Sequence, residues 1–137
     1  MNVEDRLHAQ DLISKYAFYI DNFKVPEWVS LFSSDGVLDE SAFGMGRHAG
    51  HDALRAYGTG ISERVLHLVH IMSNVLIWEA SSTTARVTSS AIVESMQKAG
   101  SRARYHVSYE DELRRVEGRW VIQHRLLKKS FPPEKIS

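Results

Sequence analysis

The feature that most narrows what this chain can fold into is its second half, which reads as four long strands in succession. Residues 65–79, 83–98, 102–116 and 119–129 are rich in β-branched, aliphatic and aromatic residues, and the breaks between them are "ASST", "KAGS" and "VEGR". The last two breaks carry glycines suited to hairpin turns. Runs of this length belong to a strongly curved antiparallel sheet. The third run alternates most cleanly: Ala103, Tyr105, Val107, Tyr109, Asp111 and Leu113 share one phase, and Arg102, Arg104, His106, Ser108, Glu110 and Glu112 the other. The first set is expected inward. That places Asp111 on the covered face, where an acid is costly unless it is paired, hydrogen-bonded or protonated.

The first half has a different period. From Val3 to Phe23, the residues Ala9, Leu12, Ile13, Tyr16, Ile20 and Phe23 recur at three- and four-residue steps, the pattern of an amphipathic helix. "VPEWVSLF" reads as a short second helix with Pro26 in its first turn, ended by "SSDG". "GVLDESAF" and "GMGRHAG" are expected as short strands, and "HDALRAYGTGI" as a third helix that stops near Gly58 and Gly60. Three helices followed by a curved antiparallel sheet make an α+β architecture, a cone with a cavity between helix and sheet.

At 137 residues the chain has the size of one domain, expected over residues 1–130, with the Pro-containing stretch 131–137 as a flexible tail. Its formal net charge of zero suggests no long-range attraction to nucleic acid or to an anionic membrane. The absence of cysteine excludes disulfides, thiolate nucleophiles and cysteine-type zinc sites. No apolar run approaches membrane-spanning length, so a cytoplasmic location is the default expectation.

The chemistry-bearing residues concentrate in "VLHLVHIMSNVLIWE", residues 65–79, where His67, His70 and Asn74 interrupt an otherwise apolar strand. His70 shares its phase with Leu66, Leu68, Met72 and Leu76; His67 goes with Val65, Val69 and Ile71. The two imidazoles therefore point to opposite faces, a poor geometry for chelating a metal, and no metal site is expected. No glycine-rich phosphate loop or nucleophile elbow appears. From spacing alone His70 is equally a hydrogen-bonded core residue, Tyr16 a core aromatic, and Asp21 a polar residue at a helix end and at the edge of the apolar stripe.

Taken in order, "LISKYAFYID", "WVSLFSSDGVLDE", "GHDALRAY", "HIMSNVLIWE" and "YEDELRRVEGRWVIQHR" resemble the SnoaL-like branch of the nuclear-transport-factor-two-like superfamily over nearly the whole domain. The resemblance implies a cone-shaped α+β barrel. In its dehydratase and dehydrochlorinase members, among them scytalone dehydratase, bile acid 7α-dehydratase and hexachlorocyclohexane dehydrochlorinase, an Asp near the end of the first helix orients a His on the sheet. Asp21 and His70 occupy those places, and Tyr16 matches a Tyr of the bile acid enzyme. The implied activity is a lyase: His70 as base, Asp21 fixing its tautomer, Tyr16 as hydrogen-bond donor or acid, with no cofactor required.

The resemblance to ketosteroid isomerase in the same superfamily implies a second reading, with Tyr16 and Asp111 as donors and Glu40 as base. The alternative for Asp111 is a structural acid paired with Arg125 or Arg115. A third reading is a non-catalytic carrier of an apolar ligand. Pocket-lining candidates are Trp28, Glu40, Met72, Asn74, Tyr105, Tyr109, Asp111, Trp120 and His124, whose aromatic members suit an apolar, ring-containing small molecule. A homodimer or homotrimer is a further expectation from the family.

Overall fold

The computed structural model describes residues 1–136. Helix α1, Val3–Asp21, starts at a capping box: the Asn2 side chain accepts the Asp5 backbone N–H at 2.8 Å, and the Asp5 carboxylate accepts that of Asn2. Its buried stripe is Ala9, Leu12, Ile13, Tyr16, Ala17 and Ile20, and it ends where Phe23 turns left-handed at φ 58°. Helix α2, Val25–Val29, is shorter than expected, because Phe32 already belongs to strand β1, Phe32–Asp39. After a 3-10 turn at Ser41–Phe43 come β2, Arg47–Ala49, and α3, His51–Arg64.

Helix α3 runs straight through Gly58 and Gly60, where the sequence pattern suggested a stop. A Cβ on Gly58 would lie 3.0 Å from Val25 Cγ1 and 3.2 Å from Trp28 Cζ3. The glycine therefore marks a close helix crossing and not a helix end.

Strands β3, Val65–Ala80, β4, Thr84–Gln97, β5, Arg102–Val116, and β6, Arg119–Lys129, form the long meander that the sequence suggested. The β5–β6 turn places Glu117 and Gly118 at φ 51° and 76°, as a two-residue primed turn requires. A two-residue strand, β7, Glu134–Lys135, pairs with β5 inside the stretch read from sequence as coil. The sheet order is β2-β1-β6-β5-β4-β3, curled but not closed. It is mixed and not wholly antiparallel, since β1 joins β6 in parallel.

That parallel junction is bulged between Phe32 and Val37. A Cβ on Gly36 would meet the Ile122 carbonyl oxygen and Phe32 Cβ, each at 2.9 Å. Gly36→Ala is therefore expected to cost roughly 1–3 kcal/mol, read as a lower midpoint in chemical denaturation. An unchanged midpoint would mean that the bulge relaxes freely.

Cross-strand register sets which residues share the helix-covered face. His70, Val93 and Tyr105 form one row, and Met72, Ala91 and Val107 the next. Deeper rows are Ser89, Tyr109 and Leu127, and then Val87, Asp111, Arg125 and Leu38. Near the outer end of β3 a bulge between Ser73 and Leu76, with Asn74 at φ 53°, reverses the alternation. Val75 and Ile77 turn inward there and Leu76 faces solvent, opposite to the phase the sequence suggested.

Candidate active site

The last residue of α1 meets the middle of β3. The Asp21 carboxylate accepts two hydrogen bonds from His70, one from ring Nδ1 to Oδ1 at 2.5 Å and one from the backbone N–H to Oδ2 at 2.8 Å. Their side chains are only 10% and 12% exposed, so the pair is screened little by water. With the carboxylate accepting, a ring proton sits on Nδ1, so that in the neutral ring the lone pair falls to Nε2. Among the described residues Nε2 has no hydrogen-bond partner.

Tyr16 lies five residues earlier on α1, with its ring edge-to-face with His70 at 6.2 Å. Burial pushes its phenol well above the usual range and the Glu40 carboxyl adds to this, while the Arg125 cation works in the other direction. Tyr16 is thus held as a neutral donor. The space beneath α1 is filled by aromatic packing and one cation: Tyr16 contacts Trp28, Phe32 and Tyr109 at centroid distances of 5.7, 6.1 and 6.3 Å. The Arg125 guanidinium sits 4.1 Å from the centroid of Tyr16 and 3.8 Å from that of Tyr109.

Arg125 is held by Asp111 through two hydrogen bonds, Nε–Oδ1 at 2.8 Å and Nη2–Oδ2 at 3.1 Å, with both side chains fully buried. Burial pushes the Asp111 carboxyl up and the guanidinium opposes it. Burial disfavours the Arg125 cation, but Asp111, Tyr16 and Tyr109 more than offset this and hold it charged. Asp111 is thus paired with Arg125, one of the two partners its sequence position suggested, and both of its oxygens accept.

The remaining sequence candidates separate by location. Glu40 is buried just past the end of β1, and Met72 and Tyr105 are half-buried in the rows next to or containing His70. Tyr109 is buried behind Tyr16, and Trp28 lies in the core beneath it. Asn74 is exposed at the β3 bulge. His124 sits opposite Glu112, beside Trp78 and Thr88 on the outer face. Trp120 donates its indole N–H to Asp5 at 3.0 Å, sixteen residues and roughly 24 Å along α1 from Asp21.

An open cleft of about 350 Å³ lies at that far end, lined by His8, Lys15, Arg119 and Trp120, and another of about 390 Å³ lies beside Tyr105, Arg102 and Pro133. Neither contains His70. The His70 end differs from both in joining a mostly buried imidazole, its carboxylate partner and the Tyr16 phenol. Two residues there escaped the sequence reading. Tyr57 of α3 donates its hydroxyl to Glu40, and Phe43 packs on Tyr105 at 5.7 Å. The signal for Tyr57 was its place three residues after Leu54 on the α3 stripe, inside the helix that the sequence suggested. Among the described residues no cluster of His, Asp and Glu has metal-holding geometry.

A model of the SnoaL-like domain matches residues 1–126. The chain belongs to the SnoaL-like family. This SnoaL-like chain superposes on a candidate aromatic ring hydroxylase of Novosphingobium aromaticivorans with a TM-score of 0.94 at 26% identity, over 98% of this chain and 95% of that one. A candidate scytalone dehydratase of the same species gives 0.89 at 22%, over 99% and 90%. A hexachlorocyclohexane dehydrochlorinase of Novosphingobium barchaimii gives 0.84 at 16%, over 98% and 92%. The last two likenesses, at such identities, are likenesses of fold. No curated protein matches the sequence.

Proposed function

We propose that this SnoaL-like protein is a small-molecule lyase that removes HX from neighbouring carbons of an apolar, ring-containing carbonyl compound. The observation that carries the reading is the grip of Asp21 on both N–H groups of His70, which leaves Nε2 as a free base. Nε2 takes the proton from the carbon beside the carbonyl, and Asp21 stabilises the imidazolium that forms. The Tyr16 phenol donates to the carbonyl oxygen as negative charge develops on it. Membership of the SnoaL-like family, with dehydratase and dehydrochlorinase structural neighbours, supports a lyase-like small-molecule enzyme. An isomerase of the second kind needs Asp111 as a neutral donor, and its two contacts with Arg125 weigh against that role.

The test uses 3-hydroxycyclohexanone in deuterated buffer. A lyase gives the conjugated enone, seen by its ultraviolet absorbance, and exchanges the proton beside the carbonyl. Binding with neither enone nor exchange, from this probe and its 3-chloro analogue, would replace the lyase with a carrier.

A further inference from the structure

Elimination by His70 and Tyr16 assigns a base to the carbon and a donor to the carbonyl, but no acid to the leaving group. A departing hydroxyl must be protonated, whereas a departing halide need not be. The structure holds a buried carboxyl on the helix-covered face that the mechanism so far does not use. Glu40 follows β1 directly, and Leu38, two residues earlier, pairs with Arg125, so Glu40 continues on the helix-covered face. Its residue is only 9% exposed.

A buried carboxyl usually answers to a cation, yet among the described residues Glu40 has no salt bridge. Its one side-chain partner is the Tyr57 hydroxyl, which donates to Oε1. Tyr57 is in turn stacked on His48, centroids 3.9 Å apart and planes 16° from parallel. His48 Nε2 is bonded to the Met45 carbonyl at 2.8 Å. Backbone bonds from Glu40 N to Gly46 O at 2.8 Å, and from Met45 N to Glu40 O at 3.2 Å, close the same loop.

The groups around it come from five elements. Burial raises the Glu40 carboxyl; the Tyr57 hydrogen bond, His70, His48 and Arg125 each pull it down, and Tyr16 feels its charge in return. The carboxyl thus lies on the same helix-covered face as His70, with Arg125, opposite Leu38, and Tyr16, edge-to-face with His70, between the two strands.

We propose that Glu40 is the acid that protonates the leaving group, which makes the site selective for a β-hydroxy carbonyl substrate over a β-halo one. The inference rests on the reading of His70 as the base. In the step, the C–H electron pair becomes the new C=C bond and its proton goes to His70 Nε2. The C–O bond breaks with its electrons on oxygen, and the Glu40 proton completes a water molecule. The proton on His70 then returns to Glu40 through that water or solvent, so no other reactant is consumed. Tyr57 is a positioning residue whose hydroxyl stabilises the carboxylate left behind. A departing halide takes no proton, so the acid contributes far less to its departure.

The experiment compares 3-hydroxycyclohexanone with 3-chlorocyclohexanone, with spontaneous elimination subtracted, in the wild type, Glu40→Gln and His70→Gln. Glu40→Gln is expected to lower the hydroxyl-to-chloride preference in kcat by roughly 100-fold. An unchanged preference overturns the proposal. Loss of both reactions in His70→Gln supports the base, and their survival there sinks the lyase reading and not the leaving-group assignment alone. A second arm needs no turnover. In carbon-13 spectra the Glu40 carboxyl should titrate above the exposed glutamates, because burial disfavours its charge, and higher still in Tyr57→Phe, which removes the hydrogen bond that pulls it down. Titration together with the exposed glutamates overturns the proposal whatever the probes do.

Discussion

An Asp21→Asn protein is expected to keep its fold and to lose elimination activity by on the order of 10⁴-fold, the scale seen when a carboxylate that orients a catalytic imidazole becomes an amide. The reason lies in the donor count. Asp21 offers two acceptors to two N–H groups, at 2.5 and 2.8 Å. Asparagine offers one acceptor and one NH₂ donor. If its oxygen keeps the His70 backbone N–H, the NH₂ group faces Nδ1 and the ring must move its proton to Nε2, the atom required as base. If the amide flips, the backbone N–H is left facing a donor, at a cost of about 1–3 kcal/mol. The first arrangement is cheaper, so the loss should fall on kcat with little change in thermal midpoint. Nitrogen-15 shifts of the ring would show the exchanged tautomer. Activity within tenfold of the wild type, with the Nδ1–H tautomer intact, would remove Asp21 from the mechanism.

The long strands were legible because each rule they obey is local: period-two alternation, β-branched residues and a short polar or glycine-bearing break every dozen or so residues. Helix α1 was legible for the same reason. What escaped the sequence was contact across the chain. Gly58 reads as a stop in isolation and as a helix crossing only once Trp28 is known to lie against it. The parallel pairing of β1 with β6 joins segments some ninety residues apart, as the Ser33–Ile122 hydrogen bond shows, and nothing in "FSSDGVLD" announces its direction. Asn74 looked like an inward polar residue by parity, but the bulge it creates breaks the parity count. The approach of Asp21 to His70 spans 49 residues. Periodicity put His70 on a face and Asp21 at a helix end, and only the family resemblance brought the two together.

The second large effect concerns stability. Asp111→Ala is expected to destabilise the protein by about 3–5 kcal/mol, because it leaves the Arg125 cation buried without its counter-charge. The guanidinium cannot escape: it is 0% exposed, lies between the rings of Tyr16 and Tyr109, and already has Nη1 buried without a hydrogen-bond partner among the described residues. The two rings attract it through their faces, but that is worth only about 2 kcal/mol when desolvated, less than the loss of two charge-assisted hydrogen bonds. For a domain of this size the midpoint should fall by on the order of 10 °C. Removing the charges together, as Asp111→Leu with Arg125→Met, should cost less than Asp111→Ala alone, since no unpaired ion remains and the space is refilled. The order of the two variants in urea denaturation is the decisive readout. If the double variant is the less stable, the ion pair is a net stabiliser of this core, and the aromatic cage around Arg125 must be contributing more than ring–cation attraction supplies.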